Sequence, residues 1–137
     1  MDTTTDTTTD PTTPRRRVRE HLARARWHRA GGRYAEAERA LRAALRLARG
    51  TPGPASAETA DAASALGILL EALGRPAEAE EALRHAVHLY ESAYGPDDTR
   101  LAPPLNALGA VLRLRGDLTE AERLYQRVVD IVRRTTT

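Results

Sequence analysis

The sequence predicts an all-α fold, a solenoid of three helical hairpins with six antiparallel helices, and three observations carry that prediction. First, almost the same phrase occurs three times: GGRYAEAERAL at 31 to 41, GRPAEAEEAL at 74 to 83 and GDLTEAERLY at 116 to 125. Gly32, Gly74 and Gly116 then stand 42 residues apart, each with a Glu-Ala-Glu triplet four residues later. Second, the apolar spacing within a unit is helical: Leu66, Leu69, Leu70 and Leu73 mark one face, and Ala79, Leu83, Ala86, Val87 and Tyr90 the next. Third, the two dipeptides Gly53-Pro54 and Gly95-Pro96 are again 42 apart and interrupt the chain between units.

The elements follow in order. Residues 1 to 14, MDTTTDTTTDPTTP, offer no large apolar side chain after Met1 to offset the entropy of ordering, so they are expected to form a disordered tail, as are 135 to 137. The folded domain is then 15 to 134, with repeats at about 17 to 50, 56 to 95 and 98 to 134. Its six helices are expected near 15 to 30, 34 to 49, 56 to 73, 76 to 94, 99 to 115 and 118 to 134. The turn inside each hairpin falls on Gly32, Gly74 or Gly116, where a left-handed backbone is accessible at little steric cost. Pro103-Pro104 should make the fifth helix begin at Pro103 or bend there, because a proline past the first turn removes a hydrogen bond. Gly67, Gly109, Ala37, Ala79 and Ala121 mark places where helices approach too closely for larger side chains. Trp27 aligns with Leu69 and Val111 and is expected in the core; Tyr34, Tyr90 and Tyr125 fall on packed faces or their margins.

The phrases LGILLEALGRPAEAEEALRHAV (66 to 87) and LGAVLRLRGDLTEAERLYQRVV (108 to 129) resemble tetratricopeptide repeats, which carry Leu-Gly in the first helix and Ala with a large apolar residue in the second. The 42-residue period and YGPDDTRLAPPLNALG (94 to 109) are similar to the kinesin-light-chain subtype, with Asp98-Thr99 in place of His-Pro and Ala107 in place of the second Asn. The resemblance implies a right-handed α-solenoid whose first helices line a concave groove. It places Arg19, Leu22, Arg26 and Arg29 there, then Asp61, Ser64, Ile68 and Glu71, then Pro103, Asn106, Ala110 and Arg113. By the same resemblance, Asn106 hydrogen-bonds a bound peptide's backbone, while Arg26, Arg29 and Arg113 pair with carboxylates.

Composition narrows the chemistry. With no cysteine among 137 residues, thiolate nucleophiles, disulfides and cysteine-bound zinc are excluded. All 21 basic residues are arginine, and together with the abundant alanine this leads to the expectation of a GC-rich bacterial coding sequence. The serines have no base and orienting carboxylate around them, and Gly31-Gly32 lacks the lysine and hydroxyl of a phosphate loop, so no enzyme and no cofactor are expected. His85 and His88, one turn from Glu81, have a spacing that could ligate a metal, but they flank the core positions Ala86 and Val87 and are expected to face water, with no metal. The triplets are expected to serve the helix macrodipole, which favours acids in first turns. No secretory signal and no membrane span is visible, so a cytoplasmic location is expected.

Charge is distributed unevenly: residues 15 to 49 carry net +9, 50 to 98 net −7 and 99 to 137 net +3. Three partner readings follow. The first is a non-catalytic interaction module whose groove, through Arg19, Arg26, Arg29, Ser64, Ile68, Asn106, Ala110 and Arg113, is expected to hold a partner protein or peptide, an acidic segment being the finer form of that expectation. The second is assembly or homodimerisation through the uncapped last helix, by a stripe of Leu124, Val128 and Val132, with a variant in which basic first hairpins meet acidic middles. Nucleic-acid binding through Arg15, Arg16, Arg17, Arg19, Arg24, Arg26 and Arg29 ranks last, because base recognition also wants exposed aromatics.

Overall fold

The computed structural model describes residues 12–49 and 56–136. The expected tail through residue 11, Gly53-Pro54 and Thr137 lie outside the described residues. Six α-helices follow one another: α1 (Thr12–Ala30), α2 (Tyr34–Arg49), α3 (Ser56–Ala72), α4 (Pro76–Tyr94), α5 (Ala102–Leu114) and α6 (Leu118–Thr136). Among the described residues there is no strand. Helices pair as α1/α2, α3/α4 and α5/α6; α2 packs on α3, α4 on α5, and the first helices of successive hairpins adjoin, which makes an all-α solenoid.

Two ends differ from expectation. α1 begins at Thr12 because Pro14 falls within the first turn, where a missing N–H goes unneeded. α6 continues to Thr136, and the hydroxyls of Thr135 and Thr136 donate back to the Val132 carbonyl at 2.8 and 3.3 Å. Near Pro103-Pro104 the fifth helix starts at Ala102, one residue before Pro103. A 3₁₀ turn over Thr99–Leu101, capped by the Asp98 carboxylate accepting from the Arg100 amide at 2.9 Å, precedes it, and both prolines sit in the first turn of α5.

The three intra-hairpin turns are one structure repeated. Gly32, Gly74 and Gly116 have φ of 76°, 75° and 90°, and the residue after each donates to a carbonyl five residues back: Arg33 to His28, Arg75 to Leu70 and Asp117 to Leu112, at 2.8 to 2.9 Å. The close approaches are equally regular. A Cβ on Gly67 would lie 2.5 Å from Leu83 Cγ, and one on Gly109 would lie 2.8 Å from Tyr125 Cε1; Ala37, Ala79 and Ala121 are buried.

The Glu-Ala-Glu triplets do more than face a helix dipole. Arg42 bonds Glu38 on its own helix at 2.9 Å and Glu78 of the next hairpin at 3.2 Å; Arg75 answers with Glu38 at 2.7 Å and Glu78 at 2.7 Å. One repeat on, Arg84 joins Glu80 at 2.9 Å and Glu120 at 3.0 Å, and Arg115 reaches Glu80 at 3.0 Å. Glu38 and Glu80, the second glutamates of the first two triplets, are thus each shared by arginines from two hairpins, and the pairs form a ladder along the solenoid. The Arg75 hydrogen bond holds the Glu38 carboxyl below the usual carboxylate range.

Candidate functional site

The junction between the first two hairpins contains a cavity of about 460 Å³. Its floor is apolar, with Leu22 and Ala25 from α1, Ala37 and Leu41 from α2, and Ile68 and Leu69 from α3. Arg26 and Arg29, both exposed, stand on the α1 wall. Opposite them are Asp61 and Ser64 from α3 and Tyr90 from α4. The helical period explains the grouping: positions 22, 26 and 29 recur at four and three residues and share one face. The Tyr90 hydroxyl donates to Asp61 Oδ1 at 2.5 Å, and burial, then this bond, pushes the phenol's pKa well above its usual value. Asp61 is therefore already engaged, and the two guanidinium groups are the cavity's cations.

Of the groove residues expected from sequence, the cavity gathers Leu22, Arg26, Arg29, Asp61, Ser64 and Ile68. Arg19 lies elsewhere, in a shallow depression with Arg16, Glu20 and Ala23. Asn106, Ala110 and Arg113 sit on α5, one hairpin further along, outside the cavity lining; Asn106 and Arg113 are exposed and Ala110 is half-buried. Tyr90 and Leu41 were not among the expected groove residues. No local signal marks them, since Tyr90 meets Asp61 across 29 residues of chain.

On α6, Leu124 and Val128 are half-buried against the core, while Val132 is 45% exposed and its neighbour Val129 41%. The counterparts of Val129 and Val132 one repeat earlier, Val87 and Tyr90, are buried. Among the described residues, no group of three His, Cys, Asp or Glu side chains could hold a metal; His85 and His88 are exposed.

The expectation for Trp27 is overturned. Leu69 and Val111 are buried, yet Trp27 is 66% exposed. α3 and α5 each bury one face on their hairpin partner and another on the preceding hairpin; among the described residues nothing precedes α1, and Trp27 occupies that second face. The Arg33 guanidinium lies 4.0 Å from its ring centroid.

The tetratricopeptide-repeat profile matches residues 18–92 and 73–134. The chain belongs to the tetratricopeptide-repeat family. Repeats of this family imply a protein–protein interaction module, and its members are typically non-catalytic scaffolds. The crystal structure of BtubC (BKLC) from P. vanneervenii is similar in fold, with a TM-score of 0.75 at 21% identity, over 91% of this chain and 49% of that one. The tetratricopeptide chain here thus spans about half the length of that protein. The resemblance to tetratricopeptide repeats read from the sequence stands with the profile match. No curated protein matches the chain. No helix among the described residues is long and apolar enough to cross a membrane.

Proposed function

We propose that this tetratricopeptide-repeat chain holds an acidic segment of a partner protein in the cavity between its first two hairpins. One observation carries the reading: two exposed arginines, Arg26 and Arg29, stand over an apolar floor in a cavity large enough for a peptide side chain. A carboxylate on the partner would form charge-assisted hydrogen bonds with the guanidiniums, each worth about 1.5–3 kcal/mol, while an adjacent apolar side chain displaces water from the floor. The test is a random peptide library selected on the wild-type chain and counter-selected on Arg26→Glu with Arg29→Glu. Enrichment of peptides with acids beside an apolar residue, bound at least about tenfold more weakly by the variant, is the expected result. Enrichment without acidic bias, or equal binding to the variant, would sink the reading.

The exposed pair Val129 and Val132 favours a second reading, assembly through the outward face of α6. Sedimentation of the wild type should then show self-association that Val132→Glu abolishes; a wild-type monomer at high concentration rules out the homodimer.

A further inference from the structure

The outward face of α1 carries an aromatic platform among arginines. Trp27 is 66% exposed, and Arg33 is fixed over one side of it: its centroid distance is 4.0 Å, its Nε donates to His28 Nδ1 at 3.1 Å and its Nη2 to the Trp27 carbonyl at 3.3 Å. His28 adds an edge-on ring contact at 5.1 Å. The indole is thus held in place with a face still open to solvent.

The helical period puts Arg16, Glu20, Ala23 and Arg24 on the same side of α1 as Trp27, with Arg19 at the margin. Arg16, Arg19, Glu20 and Ala23 line a depression of about 380 Å³ that begins one turn before the tryptophan. Arg16, Arg19 and Arg24 are exposed, and the single acid leaves the face net positive within a segment of net +9. From Arg16 to Trp27 the face runs about 16 Å at 1.5 Å per residue.

We propose that this face binds single-stranded nucleic acid, with an unpaired base stacked on Trp27 and the backbone phosphates on Arg16, Arg19 and Arg24. A protein hot spot usually buries its tryptophan within a water-excluding ring of close-packed neighbours. Here the neighbours are arginines and alanines, which suit a polyanion with flat apolar bases. An unpaired strand fits better than a duplex, because its bases are free to stack on a protein ring. Around α1, Arg26 and Arg29 lie about 100° and 160° from Trp27, and variants at Trp27 and Arg24 leave both groove arginines in place, so failure of this proposal leaves the groove reading intact, and the reverse holds too.

Trp27 is the chain's one tryptophan, so its fluorescence reports this site directly. The full chain is titrated with a deoxythymidine oligomer of about 12 nucleotides, with inorganic polyphosphate and with a polyglutamate peptide, at several salt concentrations. The oligomer should quench Trp27 saturably, and its affinity should fall with salt at a log–log slope near −2, about −0.7 for each of three phosphates. Polyphosphate should bind without comparable quenching. Trp27→Ala should weaken the oligomer between about fivefold and a hundredfold, with Trp27→Phe restoring most of it, and Arg24→Glu should weaken both polyanions. All three substitutions are at exposed positions, Trp27 and Arg24, and unchanged helical circular dichroism confirms an intact fold. The proposal is overturned by absence of oligomer binding near physiological salt, by equal affinity for Trp27→Ala, or by quenching from polyglutamate as strong as from the oligomer, which would identify an acidic protein instead.

Discussion

Replacing Gly67 by alanine tests whether the repeat's glycines are there for backbone freedom or for helix proximity. Gly67 sits inside α3, where alanine is intrinsically favoured by up to about 1 kcal/mol, so propensity alone predicts a stabilised protein. The structure predicts the opposite. The new Cβ would lie 2.5 Å from Leu83 Cγ and Cδ2 and 3.2 Å from the Leu83 amide nitrogen. Leu83 is fully buried, and its branch carbon cannot turn aside without moving α4. Overpacking of this kind costs about 1–3 kcal/mol, leaving a net loss of up to about 2 kcal/mol. That corresponds to a fall in Tm of up to about 7 °C, followed by circular dichroism. At Gly109 the facing atoms belong to the half-buried Tyr125 ring, which can swing outward, so Gly109→Ala should be near neutral. The decisive control is Leu83→Ala: in that background most of the Gly67→Ala penalty should vanish. An equal Gly67→Ala cost in both backgrounds, or a stabilised single variant, refutes the packing argument.

Two further outcomes concern charged and polar bonds. Glu38 is held below its ordinary range by Arg75, so its contribution is present above the unfolded carboxylate value and lost as pH falls through about 4.3 and below. Glu38→Gln should flatten the acid limb of a stability–pH curve by about 1 kcal/mol or less, as expected of a partly screened network; an unchanged limb would remove Glu38 as its source. Tyr90→Phe should destabilise by about 1–2 kcal/mol by stripping Asp61 of its donor. Because the Tyr90 phenol is raised, wild-type stability should decline as pH rises above about 10, and a Phe variant with an identical alkaline limb would contradict that assignment.

Local chemistry was legible in the sequence, and long-range partnership was not. The turns at Gly32, Gly74 and Gly116 depend on backbone conformation within six residues, so their recurrence sufficed to place them. The second role of the triplets escaped because Arg42 finds Glu78, and Arg84 finds Glu120, across 36 residues; the recurrence of Arg42 and Arg84 four residues after Glu38 and Glu80 was the available signal. Trp27 was misread for a different reason. Register identifies equivalent positions, but burial requires a neighbouring hairpin, and the equivalence of Trp27 with Leu69 carries no information about whether one is there. The same reasoning found Arg26 and Arg29 but missed Tyr90, whose place in the cavity depends on how α4 leans toward α3.

The register also shows how the first hairpin's wall differs from its counterparts in the later hairpins. One repeat later, the position of Ala25 is taken by Gly67, against which Leu83 packs directly, and the positions of Arg26 and Arg29 are taken by Ile68 and Glu71. The polar position thus reverses sign at the second hairpin. At the third hairpin the position of Glu71 becomes Arg113. An extended segment lying along the first helices would meet positive, negative and positive charge in turn, so acidity throughout would be unfavourable at its centre. On the groove reading, the favoured segment is acidic at the first hairpin and neutral or basic at the second, a pattern that separates specific recognition from attraction of any polyanion to a basic hairpin.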